Sequence, residues 1–223
     1  PTNISYVSGN DQTVQVDSDT TNLVVSITDA NGNTVPGVTV VWTIFLKPAG
    51  SSLEYLHSMT SVTDATGSAS AIFHAGEIAG HYVVQANAPD LAGTPVSFHV
   101  NTTAAGLDHI LISGPIQISA GGYANLTATG YDAYENPVSI VGLSWESSDG
   151  AIDLWGNFSH DISGVYTIWA NLTGISGIHY IEVVAGPLHT MTISPVDAII
   201  TADDVLQYSV SGFDQYGNPV AAT

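Results

Sequence analysis

The chain has 223 residues, of which 44% are hydrophobic, so it can form one or two domains with substantial cores. It carries 20 acidic residues against one basic residue, Lys47, and its formal net charge is −19, which disfavours nucleic acids and anionic lipid surfaces as partners. There is no cysteine, which excludes disulfides, thiolate nucleophiles and cysteine-ligated zinc, and no apolar run reaches the length of about 18 residues expected of a membrane span.

Residues 1–104 alternate apolar and polar side chains in short runs separated by Gly, Pro, Asn and Asp. Runs of this kind, with turns every 8–12 residues or so, predict an all-β sandwich. Trp42 lies in the middle of one run and is expected to be buried. The predicted strands are Ile4–Val7, Val14–Val16, Leu23–Thr28, Val38–Leu46, Ser68–His74, Tyr82–Ala86 and Val96–Val100.

Residues 105–186 repeat the same order and predict a second sandwich. Residues 164–171 align with residues 80–87, so Tyr166, Ile168 and Ala170 are expected to face the core, and the aligned tyrosines suit a tyrosine corner. The same alternation places Trp169 on the outer face. The predicted strands are His109–Ile112, Ala124–Tyr131, Ile140–Glu146, short strands around Ile152 and Phe158, Tyr166–Ala170 and His179–Val184.

Residues 187–223 begin a third unit, with an edge strand over Pro187–Ser194 and an alternating run over Val205–Phe213. The sequence reaches Thr223 soon afterwards, which predicts only the N-terminal half of a sandwich. Half a sandwich leaves an apolar face in water. We therefore expect either that the native chain continues or that another chain supplies the missing strands, and we favour continuation.

One turn sequence occurs three times, and each copy follows an alternating run. Its Asp, Asn, Gly and Pro residues favour the backbone angles of a tight reversal, so it predicts a hairpin turn in each of three tandem units. The three copies are Asp29–Val35, Asp132–Val138 and Asp214–Val220.

Several segments of residues 1–104, among them the first copy of this turn, resemble the bacterial immunoglobulin-like (Ig-like) domain of the invasin/intimin group. Residues 105–186 are similar to related surface repeats. The resemblance implies an extracellular stalk or array module of an adhesin, an S-layer protein or a filament, and it carries no catalytic residues. The segments that support it are Ile4–Thr13, Asp29–Val40, Thr63–Ala69, Ala92–Phe98 and Leu143–Gly150.

The sequence favours no enzymatic activity and no cofactor. It contains no Gly-X-Ser-X-Gly elbow, no phosphate-binding glycine loop, no His-Glu-X-X-His motif and no arginine to clamp an anionic substrate. Single histidines such as His74 and His99 are interpreted as surface residues of strands.

Divalent cations such as Ca²⁺ are expected at most as unspecific counterions of the acidic surface. The Asp29, Asn31 and Asn33 spacing resembles half of a calcium loop, but Tyr134 and Tyr216 replace the middle Asn in the other copies, so the turn is interpreted as structural. Better candidate metal ligands are the loop acids, for which simple solvation is the alternative. They are Asp17, Asp19, Asp203 and Asp204.

Two kinds of surface site remain. Glycosylation sequons occur at Asn3, Asn101, Asn125, Asn157 and Asn171. The tryptophans Trp155 and Trp169 are candidates for subunit contacts, with coverage by a loop or sugar stacking as alternatives.

We therefore predict a non-catalytic, extracellular protein whose tandem Ig-like modules self-assemble into an S-layer or a filament. The alternative is the stalk of an adhesin whose receptor- or carbohydrate-binding tip lies outside this segment, with glycans or a host receptor as partners. A weaker alternative is an accessory array attached to a secreted hydrolase.

Overall fold

The computed structural model describes residues 1–221, which form β-strands and no helix. These residues are organised as two compact units. The first unit comprises Pro1–Gly106 together with Tyr131–Val138. The second comprises Leu107–Gly130 and the chain from Ser139 onwards.

The first unit is built on two facing sheets. One sheet has the strand order β1-β3-β7 and the other the order β2-β10-β9-β4-β6, with β2 parallel to β10. Strands β5 and β8 form a separate antiparallel pair. The strands are β1 (Asn3–Ser8), β2 (Gln12–Gln15), β3 (Leu23–Thr28), β4 (Thr39–Leu46), β5 (Tyr55–Leu56), β6 (Thr60–Val62), β7 (Ser68–Ala71), β8 (Phe73–His74), β9 (Gly80–Asn87) and β10 (Val96–Thr103).

The core of this unit follows the predicted alternation. Leu23, Val25 and Ile27 of β3 are fully buried, and the residues between them are half-buried. Trp42 is buried as expected, its ring centroid lies 5.8 Å from that of Phe98, and its Nε1 donates to Ser61. Large aromatic side chains contribute much of the apolar area in such a sandwich core, and both of these rings project into it from the five-stranded sheet.

The second unit contains a four-stranded sheet of order β12-β19-β18-β16, the paired strands β11 and β14, the pair β13 and β17, and a three-stranded sheet β20-β21-β22. Its strands, with β15 of the first unit included for numbering, are β11 (His109–Ser113), β12 (Gln117–Ser119), β13 (Tyr123–Asn125), β14 (Thr127–Tyr131), β15 (Pro137–Val138), β16 (Ser144–Ser147), β17 (Asn157–Ser159), β18 (Gly164–Leu172), β19 (Ile175–Val184), β20 (Thr190–Ser194), β21 (Ser209–Phe213) and β22 (Pro219–Val220).

Strand β18 has the predicted phase, since Ile168 and Ala170 are buried and Tyr166 packs on the same core. Both aligned tyrosines form the expected corner: Tyr82 Oη donates to the Ile78 carbonyl at 2.9 Å, and Tyr166 Oη to the Ile162 carbonyl at 3.0 Å. The corner therefore fixes the loop that precedes β9 and the loop that precedes β18.

Some predicted strands were too long. Residues 140–143 are not a strand, and β16 starts only at Ser144. The run Ala124–Tyr131 is divided at Leu126, whose buried side chain and hydrogen bond to the Gly156 carbonyl interrupt the pairing. Five strands were not predicted (β5, β6, β12, β15 and β22), because they are two or three residues long and show no clear alternation.

Residues 187–221 form only the exposed sheet β20-β21-β22. The predicted run Val205–Phe213 is a strand only from Ser209, and Met191 and Ile193 of β20 are more than half exposed. The division into three units at residues 104 and 186 stays a prediction. Residues 222 and 223 of the predicted third unit lie outside the described residues.

Candidate functional site

The repeated turn closes in the same way in all three copies. In the second copy Asp132 N donates to the Asn136 carbonyl at 3.0 Å, and Asp132 Oδ1 accepts from the backbone N–H groups of Tyr134 and Asn136. The fourth residue is left-handed each time, at Gly32, Glu135 and Gly217. Local Asp side-chain bonds of this kind stabilise a turn, so the sequence motif is explained first by its own geometry.

Asn136 also binds a second part of the first unit. Its Oδ1 accepts from Ala79 N at 2.7 Å, and its Nδ2 donates to the Glu77 carbonyl at 2.7 Å. Asp132 Oδ2 meanwhile accepts from Ala105 N at 2.8 Å. Asp132 and Asn136 are both buried. The turn is therefore docked onto the loop Glu77–Gly80 and holds the segment that leads out of β10.

The third copy makes the same bonds within the second unit. Asn218 Oδ1 accepts from Ser163 N, and Asn218 Nδ2 donates to the Asp161 carbonyl, both at 2.7 Å. Asp214 Oδ2 accepts from Gly186 N at 2.8 Å. The bonds of Asn136 to the loop and of Asp132 to the outgoing backbone thus each have a counterpart here. We call Asp132–Val138 and Asp214–Val220 the docking turns.

The loops that receive the docking turns share a sequence. We call Glu77–Gly80 and Asp161–Gly164 the receiving loops; both read acidic residue, Ile, small residue, Gly. The Ile carbonyl of each loop accepts the tyrosine-corner hydroxyl, so the corner holds the loop while the flanking backbone groups face the Asn of the turn. The shared sequence of the two receiving loops is visible in the chain only when the two repeats are aligned.

The tyrosine in the middle of each docking turn contacts the loop after the parallel edge strand. Tyr134 Oη donates to Asp17 Oδ2 at 2.6 Å. Tyr216 packs on Gly121 so closely that a side chain at that position would collide with its ring. Asp17 and Gly121 both have a positive φ, 55° and 75°, so each loop places a left-handed residue at the contact with the tyrosine.

In the first copy of the turn, the described side-chain bonds of Asp29 and Asn33 all stay within the turn. Asp29 Oδ1 accepts from the backbone N–H groups of Asn31 and Asn33, and Asp29 Oδ2 accepts from Asn33 Nδ2. These bonds lower the pKa of Asp29, and the bond from the Asn33 side chain has the largest effect. Its oxygens point at N–H donors rather than at an open cradle, which agrees with the structural interpretation of this turn.

Burial and hydrogen bonding act in opposite directions on the docking-turn carboxylates. Burial raises the pKa of Asp214, but the bonds from Asn218, Gly186 and Tyr216 outweigh it and hold the pKa at about 2. The pKa of Asp132 is lowered in the same way, with burial again the opposing effect. Both side chains are therefore ionised acceptors at neutral pH.

The same turn occurs twice more, at two places that the sequence did not relate to the repeated motif. Asp64 and Asp153 accept from backbone N–H groups two and four residues further on, and Gly67 and Gly156 are the left-handed residues. Trp155 takes the place that tyrosine has in the docking turns, and it is 77% exposed. An exposed aromatic ring on a rigid turn is a suitable contact residue.

Trp169 lies on the outer face of β18, as predicted, but it is only half-exposed. It is paired with Glu146 on one neighbouring strand and with Ile178 on the other. Ile178 and Tyr180, which is on the same face of β19, are 54% and 61% exposed. We call Trp169, Ile178 and Tyr180 the outer-face patch.

The five sequons differ in accessibility. Asn101 and Asn125 are exposed, whereas Asn3, Asn157 and Asn171 are half-buried. Asn157 Nδ2, the atom that a glycan would occupy, donates to Asp153 Oδ2 at 2.8 Å. Asn125 is the direct cross-strand partner of Asn157, so the two positions compete for the same space.

We therefore expect that expression in a glycosylating host modifies Asn101 and Asn125 and leaves Asn157 bare. Mass spectrometry of the glycopeptides measures the occupancy of each site. Asp153→Ala frees Asn157 Nδ2 and should raise its occupancy. Modification of Asn157 with Asn125 bare in the unaltered chain would contradict this ranking.

The candidate metal ligands separate into two cases. Asp203 and Asp204 are exposed, and Asp204 is engaged by Thr201, whose backbone N–H and hydroxyl both donate to it. Asp17 and Asp19 instead lie against His74, which was interpreted as a surface residue. His74 does lie on a strand, but it is half-buried, because β8 places its ring between the two carboxylates and against the ring of Tyr55.

His99, the other histidine interpreted as a surface residue, is exposed as expected, but its ring stacks on that of His81 with 5.2 Å between centroids. No helix in residues 1–221 is long and apolar enough to cross a membrane.

No protein-family model and no curated protein sequence matches the chain. Solved structures match it in fold. The adhesin FdeC of Escherichia coli superposes with a TM-score of 0.59 at 18% sequence identity, covering 98% of this chain and 74% of that one. InvD of Yersinia pseudotuberculosis gives 0.52 at 18% identity, covering 93% and 69%. The chain therefore has the all-β Ig-like sandwich fold that the sequence predicted, and it shares this fold with FdeC and InvD.

Proposed function

We propose that this chain is a non-catalytic structural segment of an extracellular surface protein built from tandem Ig-like repeats, in which a docking turn of one form fastens the backbone within each unit. The observation that carries the proposal is the repetition of the dock. In both docking turns, the Asp side chain binds the outgoing backbone and the Asn side chain binds a receiving loop. The donors and acceptors are of the same kind in both. A connection that is built twice in the same form is suited to a repeated array.

The fold likeness supports a surface role, since FdeC, one of the matching structures, is named an adhesin. The acidic composition supports it as well. A net charge of −19 on 223 residues keeps a surface hydrated and attracts cations. We therefore place the chain outside the cell, at its surface.

Self-assembly is the function that we favour for this array, as an S-layer or a filament. The outer-face patch and Trp155 expose aromatic and branched side chains of the kind that anchor protein contacts. Strand β20 is an edge strand with exposed side chains, and edge strands pair readily with a neighbouring chain. Both surfaces fit a second copy of the chain.

Replacing Trp169 by Ala is expected to raise the protein concentration needed for assembly at least tenfold. It should change the free energy of unfolding by no more than about 1 kcal/mol. The reason is that Trp169 lies on the outer face rather than in the core. Negative-stain microscopy and sedimentation of the full chain, with and without Ca²⁺, measure assembly. Leu111→Ala is the matched control, because Leu111 is 53% exposed on the opposite sheet.

A large loss of thermal stability in Trp169→Ala would instead show that the residue belongs to the core. If the unaltered chain stays monomeric at high concentration in the presence of Ca²⁺, the self-assembly function is wrong. The stalk of an adhesin is then the better proposal, with recognition of a receptor or a carbohydrate assigned to another part of the protein. The likeness to FdeC favours that alternative.

A further inference from the structure

Two histidines and an aspartate from three separate segments meet in the first unit. Asp19 Oδ1 lies 2.9 Å from His57 Nε2 and 2.8 Å from His74 Nδ1. The three atoms are all within 4.8 Å of one another. Among the residues described, 1–221, no other set of three or more His, Asp or Glu side chains is gathered in this way.

The backbone fixes the three side chains relative to one another. Asp19 and His74 form an antiparallel bridge, and β5, which precedes His57, pairs with β8, which contains His74. His57 N also donates to the Ile72 carbonyl at 3.1 Å. The Tyr55 ring stacks on His74 with 4.5 Å between centroids. The cluster is therefore preorganised rather than a chance encounter of mobile side chains.

A second carboxylate, that of Asp17, contacts the ring nitrogen of His74 that does not face Asp19. Asp17 Oδ1 lies 3.1 Å from His74 Nε2, and Asp17 Oδ2 accepts from Tyr134 Oη at 2.6 Å. In metal sites the nitrogen of a histidine that does not bind the metal usually donates to such a carboxylate. A neutral imidazole has a single N–H, so when Nε2 donates to Asp17, Nδ1 offers a lone pair toward Asp19.

We propose that Asp19, His57 and His74 bind one late first-row divalent cation of the Zn²⁺ class. Two imidazole nitrogens and a carboxylate oxygen match the donors that Zn²⁺ takes in sites that keep a fourth, open position. Ca²⁺ takes six to eight or so oxygen ligands, so this donor set disfavours it. The exposed side of the cluster leaves the fourth position to water.

The geometry accommodates such an ion after a small movement. Ligand atoms about 2.0–2.1 Å from a tetrahedral ion are about 3.3 Å apart, whereas Asp19 now lies 2.8 and 2.9 Å from the two nitrogens. The His57 and Asp19 side chains are 42% and 47% exposed, so they can move apart by this amount without disturbing the core. The ion also places positive charge beside two carboxylates.

The proposal is tested by calorimetric titration of the full chain with ZnCl₂ and with CaCl₂. One Zn²⁺ per chain is expected, with no comparable binding of Ca²⁺. His57→Ala and His74→Ala should each weaken Zn²⁺ binding at least tenfold, and Asp17→Asn should weaken it about 10- to 100-fold, as loss of an outer carboxylate does. Saturation at 100 times the dissociation constant should lower the unfolding equilibrium constant about 100-fold.

His81→Ala is the matched control, since His81 and His99 form the other close histidine pair, with 3.0 Å between nitrogens. It should leave the Zn²⁺ affinity unchanged. Substitution with Co²⁺ adds a visible spectrum that reports nitrogen and oxygen ligation in four- or five-coordinate geometry. The proposal is overturned if Zn²⁺ does not bind, if His57→Ala binds it normally, or if binding disappears in His81→Ala instead. Because His57 is exposed, its variant should fold even if His74→Ala does not.

Discussion

Replacing Asn136 by Ala is expected to destabilise the first unit by about 3 kcal/mol, whereas Asn33→Ala, the equivalent change in the first copy of the turn, should cost about 1 kcal/mol or less. Both asparagines close the same turn. Only Asn136 also accepts from Ala79 N and donates to the Glu77 carbonyl. The difference between the two variants therefore measures the dock itself.

The size of the destabilisation expected for Asn136→Ala follows from the burial of the groups that Asn136 binds. Asn136 is 5% exposed and Asp132 is fully buried, so removal of the Asn136 side chain leaves an N–H and a carbonyl of the receiving loop without their partner. Each buried polar group left unpaired costs about 1–3 kcal/mol. Asn33 is exposed, and water replaces what its side chain provides.

Differential scanning calorimetry of the full chain measures both variants, and Asn218→Ala should reproduce the effect in the second unit, where the same bonds recur. Limited proteolysis gives a second readout. Loss of the dock should expose the segment around Ala105, whose N–H is bound by Asp132. If Asn33→Ala and Asn136→Ala are equally destabilised, the turn acts only locally and the proposed array loses its main support.

The parts of this fold that the sequence predicted are those with a local cause. The alternation in β3 fixes its buried face, and the Asp29–Asn33 bonds form within five residues. The tyrosine corners are similar, since Tyr82 reaches only four residues back. Such features depend on neighbours in the chain, and alternation and turn chemistry describe them well.

The features that the sequence did not predict depend on residues far apart in the chain. Asn136 and Ala79 are 57 residues apart, and His74 and Asp19 are 55 apart. Nothing in a single sequence pairs them. Alignment of the two receiving loops could have revealed the first contact, but the histidine cluster occurs in one unit only and has no internal repeat to reveal it. For Trp169, the alternation in the sequence predicted the face of the sheet correctly. It did not predict that the neighbouring strands partly cover the side chain.

Acidification is expected to weaken both units through the docking-turn carboxylates. The pKa of Asp214 is about 2 in the folded protein against an ordinary value of 3.8, and the pKa of Asp132 is lowered in the same direction. Between these values the unfolded chain binds protons that the folded chain does not. The stabilisation is therefore complete above about pH 4 and is lost as the pH falls toward 2.

Asp132→Asn isolates this effect. The variant should be less stable than the unaltered chain by about 2 kcal/mol at pH 7, because an ionised acceptor of several buried N–H groups is replaced by a neutral amide. At low pH the two proteins should approach each other in stability, since protonation then removes the charge of Asp132 in the folded chain as well as in the unfolded chain. Urea denaturation at a series of pH values measures both quantities, and Asp90→Asn, at an exposed position, is the control.

The outcome of this titration bears directly on the dock. If the difference between Asp132→Asn and the unaltered chain were the same at pH 2 and at pH 7, the charge of Asp132 would be irrelevant, and shape alone would hold the turn. If the difference disappears at low pH while Asp90→Asn shows none at any pH, ionised Asp132 holds the outgoing backbone at Ala105. A repeated array whose units contain such turns would then loosen at the docking turns in acid before its sandwich cores unfold, because those cores are held by apolar burial that does not depend on pH.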